Sequence, residues 1–200
     1  MWIKHILPEE AETRLRAVYD RLSGPDGQID NILRAHSLRP HSLEGHMALY
    51  KATLHHHGNK LPKTLLEAIG VYVSLLNGCD YCVDHHFAGL RRLLEDDDEA
   101  DRQLTALKSE RPDAAFDARG TAALDYAGKL TRDPAGMKRR DADRLRVAGF
   151  GDGEILEINQ VAAYFAYANR TVLGLGVTPE GEALGYSPNN SENENDWSHG

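Results

Sequence analysis

The chain has 200 residues, enough for one compact domain with its own core, and 41% of them are hydrophobic, as in a globular protein. Its formal charge of −8 leaves no basic field for a phosphate backbone, so nucleic acid is not an expected partner. The longest weakly charged run, Thr64 to Cys79, is too short for a membrane span and contains Glu67, and MWIKHILPEEAE holds no signal-peptide core, so a cytoplasmic protein with no membrane partner is expected.

Taken in chain order, the apolar positions recur at helical spacing between Pro and Gly breaks. Leu15, Val18, Tyr19 and Leu22 mark a first helix, closed by Gly24-Pro25-Asp26-Gly27. A short helix is expected around Ile29 to Ala35. A longer one starts near Pro40, a residue suited to a first helical turn, and runs to Leu54 before Gly58-Asn59. Pro62 opens a helix to about Leu76 that is apolar nearly all round and therefore central. Asn77-Gly78 interrupts the chain, and the next helix runs from near Cys79 to about Leu94. Further helical segments are expected from the acidic stretch after Glu95, around Ala122 to Leu130, near Ala142 to Ala148, and through Ile155, Ile158, Val161, Phe165 and Ala168. No run alternates with period two, so the fold class expected is all-α, a single-domain helical bundle over residues 1–185. The polar stretch SPNNSENENDWSHG, within residues 186–200, reads as a disordered tail.

The chemistry concentrates where the central helices meet. Cys79, Cys82 and His86 stand at i, i+3 and i+7, one face of one helix. The break before Cys79 puts both thiols in the first turn, where unpaired N–H groups favour a thiolate. His86 is one turn beyond Cys82 and can take and return its proton. Glu67 is the only charged residue between Thr64 and Cys79 and needs a buried partner, for which His86 is the candidate. In a compartment that keeps thiols reduced, such a CxxC signals redox or metal chemistry rather than a structural disulfide. Zinc could use Cys79, Cys82 and His86, with His55, His56 or His57 as fourth ligand, but no second ligand pair of similar spacing is present. His85 faces nearly the same way as His86 and is an alternative base. His55 to His57 precede a Gly-Asn turn and read most simply as a solvated helix end.

The segment from Glu67 through GVYVSLLNGCDYCVDHHFAGL resembles the signature of the alkylhydroperoxidase D and carboxymuconolactone decarboxylase superfamily: a Glu twelve residues before the first Cys of CxxC and a His four after the second. NILRAHSLRP, LDYAGKLTRDP and AGFGDGEILEINQVAAYFAYANRTVLGLGV extend the likeness to its peroxidase-related branch, over roughly Pro8 to Val177. The resemblance implies an all-α enzyme that reduces peroxides, with Cys82 the attacking thiol, Cys79 the resolving thiol, His86 the base and Glu67 completing the relay. It further implies an external dithiol reductant and a homo-oligomer, whether trimer, dimer or hexamer; no metal or organic cofactor enters the reading. Alkylhydroperoxidase D has a second His between its cysteines, where this chain has Tyr81, and a phenol is a poor base near neutral pH. Two other functions compete. The superfamily's lactone decarboxylases have no use for a redox dithiol, and a zinc-binding or redox-responsive interaction protein would have no turnover.

Overall fold

The computed structural model describes residues 1–22, 24, 27–193 and 195–199. Among them nine α-helices follow one another: α1 (Thr13–Leu22), α2 (Asn31–Arg34), α3 (Pro40–Tyr50), α4 (Lys63–Leu76), α5 (Asp80–Leu94), α6 (Asp97–Lys108), α7 (Ala118–Arg132), α8 (Arg139–Val147) and α9 (Asp152–Leu175). No strand occurs among the described residues, only an isolated bridge between Pro188 and His199. None of the described helices is long and apolar enough to cross a membrane. The turn expected at Gly24-Pro25-Asp26-Gly27 lies partly outside the described residues.

Helix α4 is the axis of the bundle. Every residue from Leu66 to Ser74 is buried, and α5, α7 and α9 pack around it. The core it anchors includes Leu43, Met47, Ile69, Val73, Leu124 and Phe165. Local signals set the ends: Asp96 accepts from the Glu99 N–H at the start of α6, and Asp117 accepts from the Gly120 N–H at the start of α7. Asp117 thereby starts α7 ahead of its apolar stretch. Between α4 and α5, Gly78 takes φ +68°, and the Cys79 N–H returns to the Ser74 carbonyl at 2.9 Å.

One departure from the periodicity matters. Helix α3 does not continue regularly to Leu54; it widens into a π-helical turn over Lys51–His55. Thr53 Oγ1 donates to the Leu49 carbonyl at 2.8 Å within it. The turn directs Lys51, Thr53, Leu54 and His55 inward. His55, expected in a solvated helix end, is therefore buried, while His57 remains exposed.

Beyond α9 the chain forms a strap, residues 177–187. Asn31 Nδ2 donates to the Thr178 carbonyl at 2.8 Å and to the Glu180 carbonyl at 3.1 Å. Arg92 donates to the Gly185 carbonyl at 2.7 Å. For the tail that composition marked as polar, the described residues run back over α1 and the π-turn. Lys51 Nζ donates to the Asn193 carbonyl at 2.9 Å and the Asp196 carbonyl at 2.5 Å. Trp197 is buried, with the Arg21 guanidinium 3.6 Å above its ring.

Candidate active site

The two cysteines open α5. Cys79 is its N-cap residue and Cys82 lies in its first turn, and their sulfurs are 3.1 Å apart. Both are free thiols and buried, but only Cys82 lines the cavity beside them. A disulfide spans about 2.05 Å, so closing the pair needs an approach of about 1 Å. In this hydrogen-bonded pair the thiol with the lowered pKa is Cys79. It gains from the Cys82 thiol first and from the Cys82 N–H and Asn169, against the opposing effect of burial. Cys82 stands well above the usual thiol range because its proton is held toward Cys79 and because it is buried. The presence of His86 one turn on suggests the reverse order; hydrogen bonding at the helix start outweighs it.

Asn169 is the polar residue that builds this corner. It is fully buried in α9, donates from Nδ2 to Ser74 Oγ at 3.0 Å, and accepts from Asn77 Nδ2 at 2.8 Å. It thus ties α9 to the end of α4 and to the turn that presents Cys79.

Glu67 projects from α4 toward α5, where its Oε2 lies 2.7 Å from His86 Nδ1. Gly89 leaves space for the carboxyl group, its Cβ position lying 3.9 Å from Glu67 Cδ. Burial raises the pKa of Glu67, but the charge and hydrogen bond of His86, with His55 and Lys63, outweigh it and hold the carboxyl below its ordinary value. With Nδ1–H directed at the carboxylate, His86 Nε2 is left as the free acceptor. No hydrogen bond joins His86 to either sulfur among the described residues; His86 and Cys82 instead share the cavity. Phe165 holds the imidazole edge-on, centroids 4.5 Å apart, and Gly70 makes room for that ring: a Cβ there would lie 2.2 Å from Phe165 Cζ.

The cavity measures about 40 Å³, room for a few water-sized groups. Besides Cys82, Glu67 and His86, its wall includes Asp30, Tyr50, Tyr164 and His85. Tyr81, between the cysteines, accepts from the Ile32 N–H at 3.2 Å, and burial carries its pKa well above the ordinary phenol value, so it supplies no base. His55 Nε2 lies 4.0 Å from Glu67 Oε1. Neither nitrogen of His55 has a hydrogen-bond partner among the described residues, and burial pushes its pKa down to about 3. Among the described residues no three His, Cys, Asp or Glu side chains converge as a metal site.

Asn169, Asp30 and Glu182 were not singled out from the sequence, and His55 was considered only as a zinc ligand or part of a solvated helix end. A signal existed for Asn169, a polar residue on the apolar stripe of a long helix. None existed for Asp30 and Glu182, whose places depend on chain segments far apart.

A helical bundle that buries a CxxC sulfur pair beside a carboxylate–imidazole pair defines a class of α-helical thiol proteins. A carboxymuconolactone decarboxylase family model matches residues 40–127. An uncharacterized peroxidase-related protein from Silicibacter sp. TM1040 is 30% identical over 88% of this chain and 87% of its own, with a TM-score of 0.71. An alkylhydroperoxidase core, a peroxidase-related protein from Ralstonia eutropha JMP134, is 28% identical over the same shares, 88% and 87%, with a TM-score of 0.70. A debrominase in complex with 2,3,4-tribromopyrrole shares the fold at 19% identity, covering 90% of this chain and 92% of its own, with a TM-score of 0.69. No curated protein sequence matches. The chain belongs to the alkylhydroperoxidase D and carboxymuconolactone decarboxylase superfamily.

Proposed function

We propose that the protein is a thiol-dependent peroxidase acting on small peroxides, with Cys82 as the attacking thiol and Cys79 as the resolving thiol. The observation that carries this reading is the 3.1 Å sulfur pair with only Cys82 open to the cavity that Glu67 and His86 also line. Cys82 passes its proton to His86, whose Nδ1 is held by Glu67, and the thiolate attacks the peroxide. Cys79 then attacks the Cys82 sulfur of the sulfenic acid, the S–O bond breaks and the hydroxyl leaves as water with the Cys79 thiol proton, giving a disulfide that an external dithiol reduces. The cavity volume favours hydrogen peroxide or a short alkyl hydroperoxide. A redox dithiol has no part in lactone decarboxylation, which favours the peroxidase reading within the family. The cycle suits the reducing cytoplasm. The exposed Leu156, Tyr167 and Leu173 on α9 suit a homo-oligomer.

Steady-state peroxide consumption with a panel of dithiols tests the reading. The wild type should turn over and form a reversible disulfide two hydrogens lighter by mass, and Cys82→Ser should lose activity entirely. Turnover surviving in Cys82→Ser, or stoichiometric zinc whose removal unfolds the protein, would overturn it.

A further inference from the structure

Two histidines follow Cys82, and each has its own carboxylate. His86 pairs with Glu67 from the core, while His85 Nε2 lies 3.2 Å from Glu182 Oε1 of the strap. The second pair is built with care. The Glu182 side chain is fully buried, and its Oε2 accepts from the Asn31 N–H at 2.6 Å. Asn31 Nδ2 clamps the strap on both sides of Glu182, through the carbonyls of Thr178 and Glu180. Ala183 N–H donates to Gln28 Oε1 at 3.1 Å. Gly185, at φ +84°, presses against Ala88 and Gly89 one turn beyond His85, where a Cβ would lie 2.9 Å from Ala88 Cβ. His85 is itself buried and lines the cavity with Cys82. Its Nδ1 has no hydrogen bond among the described residues.

The third and fourth residues after Cys82 on a helix flank its sulfur from opposite sides. We infer that His85, held by Glu182, is the proton donor to the oxygen that leaves when Cys82 attacks a peroxide, while His86 is the base. This rests on the peroxidase reading above. The sulfur of the Cys82 thiolate bonds to the distal peroxide oxygen and the O–O bond breaks. Its electron pair goes to the leaving oxygen, which takes the Nδ1 proton of the doubly protonated His85, whose charge Glu182 balances. Sulfur is oxidised to sulfenic acid and the peroxide is reduced to its alcohol. His86 has gained from Cys82 the one proton that His85 has given up, so proton exchange between the pairs restores both. An enclosed cavity needs such a donor, since an alkoxide released there has little water to protonate it. Asp30, on the same wall, is raised to about 6 by burial, with His85 opposing and Glu182 adding to the shift. That wall therefore holds two acidic groups around one imidazole.

The test is the leaving group. Reduced protein is mixed with tert-butyl hydroperoxide or with peracetic acid, and the loss of free thiols is followed in a rapid quench. Acetate leaves as a stable anion without a proton; tert-butoxide does not. His85→Gln should slow oxidation by tert-butyl hydroperoxide about 100-fold, the scale of a lost general acid, and leave peracetic acid within about twofold. Glu182→Gln, a change in the strap outside the helical core, should show the same dependence on oxidant in weaker form. It provides the test if His85→Gln does not fold. Equal losses with both oxidants, or no loss with either, would overturn the assignment of His85 while leaving the peroxidase reading intact. A wild type whose thiols neither oxidant touches would overturn both.

Discussion

At the scale of single residues, the site separates a thiol that is acidic from a thiol that is accessible. Cys79 has the lowered pKa and no exposure, whereas Cys82 is reached through the cavity. The two roles are compatible because the sulfurs share a hydrogen bond, so charge can move from one to the other by a proton shift over 3.1 Å. If Glu67 and His86 act as one unit, their losses do not multiply. Glu67→Gln and His86→Phe should each slow peroxide turnover about 100-fold, and the double variant should be little slower than either. Initial rates of the four proteins close that cycle, and multiplicative losses would make Glu67 a packing residue only. These four side chains were legible in the sequence because their spacing is local: three lie on one helix, and the fourth is the only charge between Thr64 and Cys79. Glu182 was not, because its contact with His85 spans 97 positions and only the strap brings it back.

At the scale of elements, the junction of α4, α5 and α9 hangs on Asn169. Its amide satisfies Ser74 Oγ and Asn77 Nδ2 in a place with no exposure. Asn169→Ala should leave both unpaired and cost about 2 kcal/mol of stability, read from urea denaturation. The Cys79 pKa should also rise, because Asn169 helps lower it; the pH dependence of thiol alkylation would show no movement if the contact were incidental. Helix periodicity with Pro and Gly breaks, and for α6 the acidic stretch after Glu95, was enough to locate the nine helices of the described residues. It could not foresee the π-turn at Lys51–His55, because one extra residue in a turn leaves the apolar pattern before it unchanged. That turn separates the expected solvated His55 from the buried one.

For the molecule as a whole, buried neutral histidines make acid the weak side of its stability. Burial depresses His46 and His55 to about 3 and His199 to about 4, from an ordinary 6.5. Each is uncharged when folded and binds a proton on unfolding, so its contribution is complete above pH 6.5 and is lost as pH falls toward 3 or 4. Asp30 runs the other way: raised to about 6 from 3.8, it is protonated sooner when folded and regains stability as pH drops through that range. Of these four groups, three protons against one leave a net uptake of about two near pH 5, a slope of about 3 kcal/mol per pH unit, and His36, which burial also lowers, acts in the same direction. Denaturant midpoints measured from pH 7 to pH 4.5 should follow that slope, and His55→Gln should lessen it by about one proton. An unchanged slope in that variant would mean that His55 is already charged in the folded protein.

Gly70 has a consequence that reaches past this one chain. A glycine inside a helix ordinarily costs stability, yet here its missing methyl is the space into which Phe165 sets its ring, and Phe165 in turn squares His86 toward Glu67. Positions 70 and 165 are thus coupled by packing. Related proteins with a larger residue at the first should carry a smaller one at the second, and a lineage that drifted at one alone would lose the orientation of its base before it lost its fold.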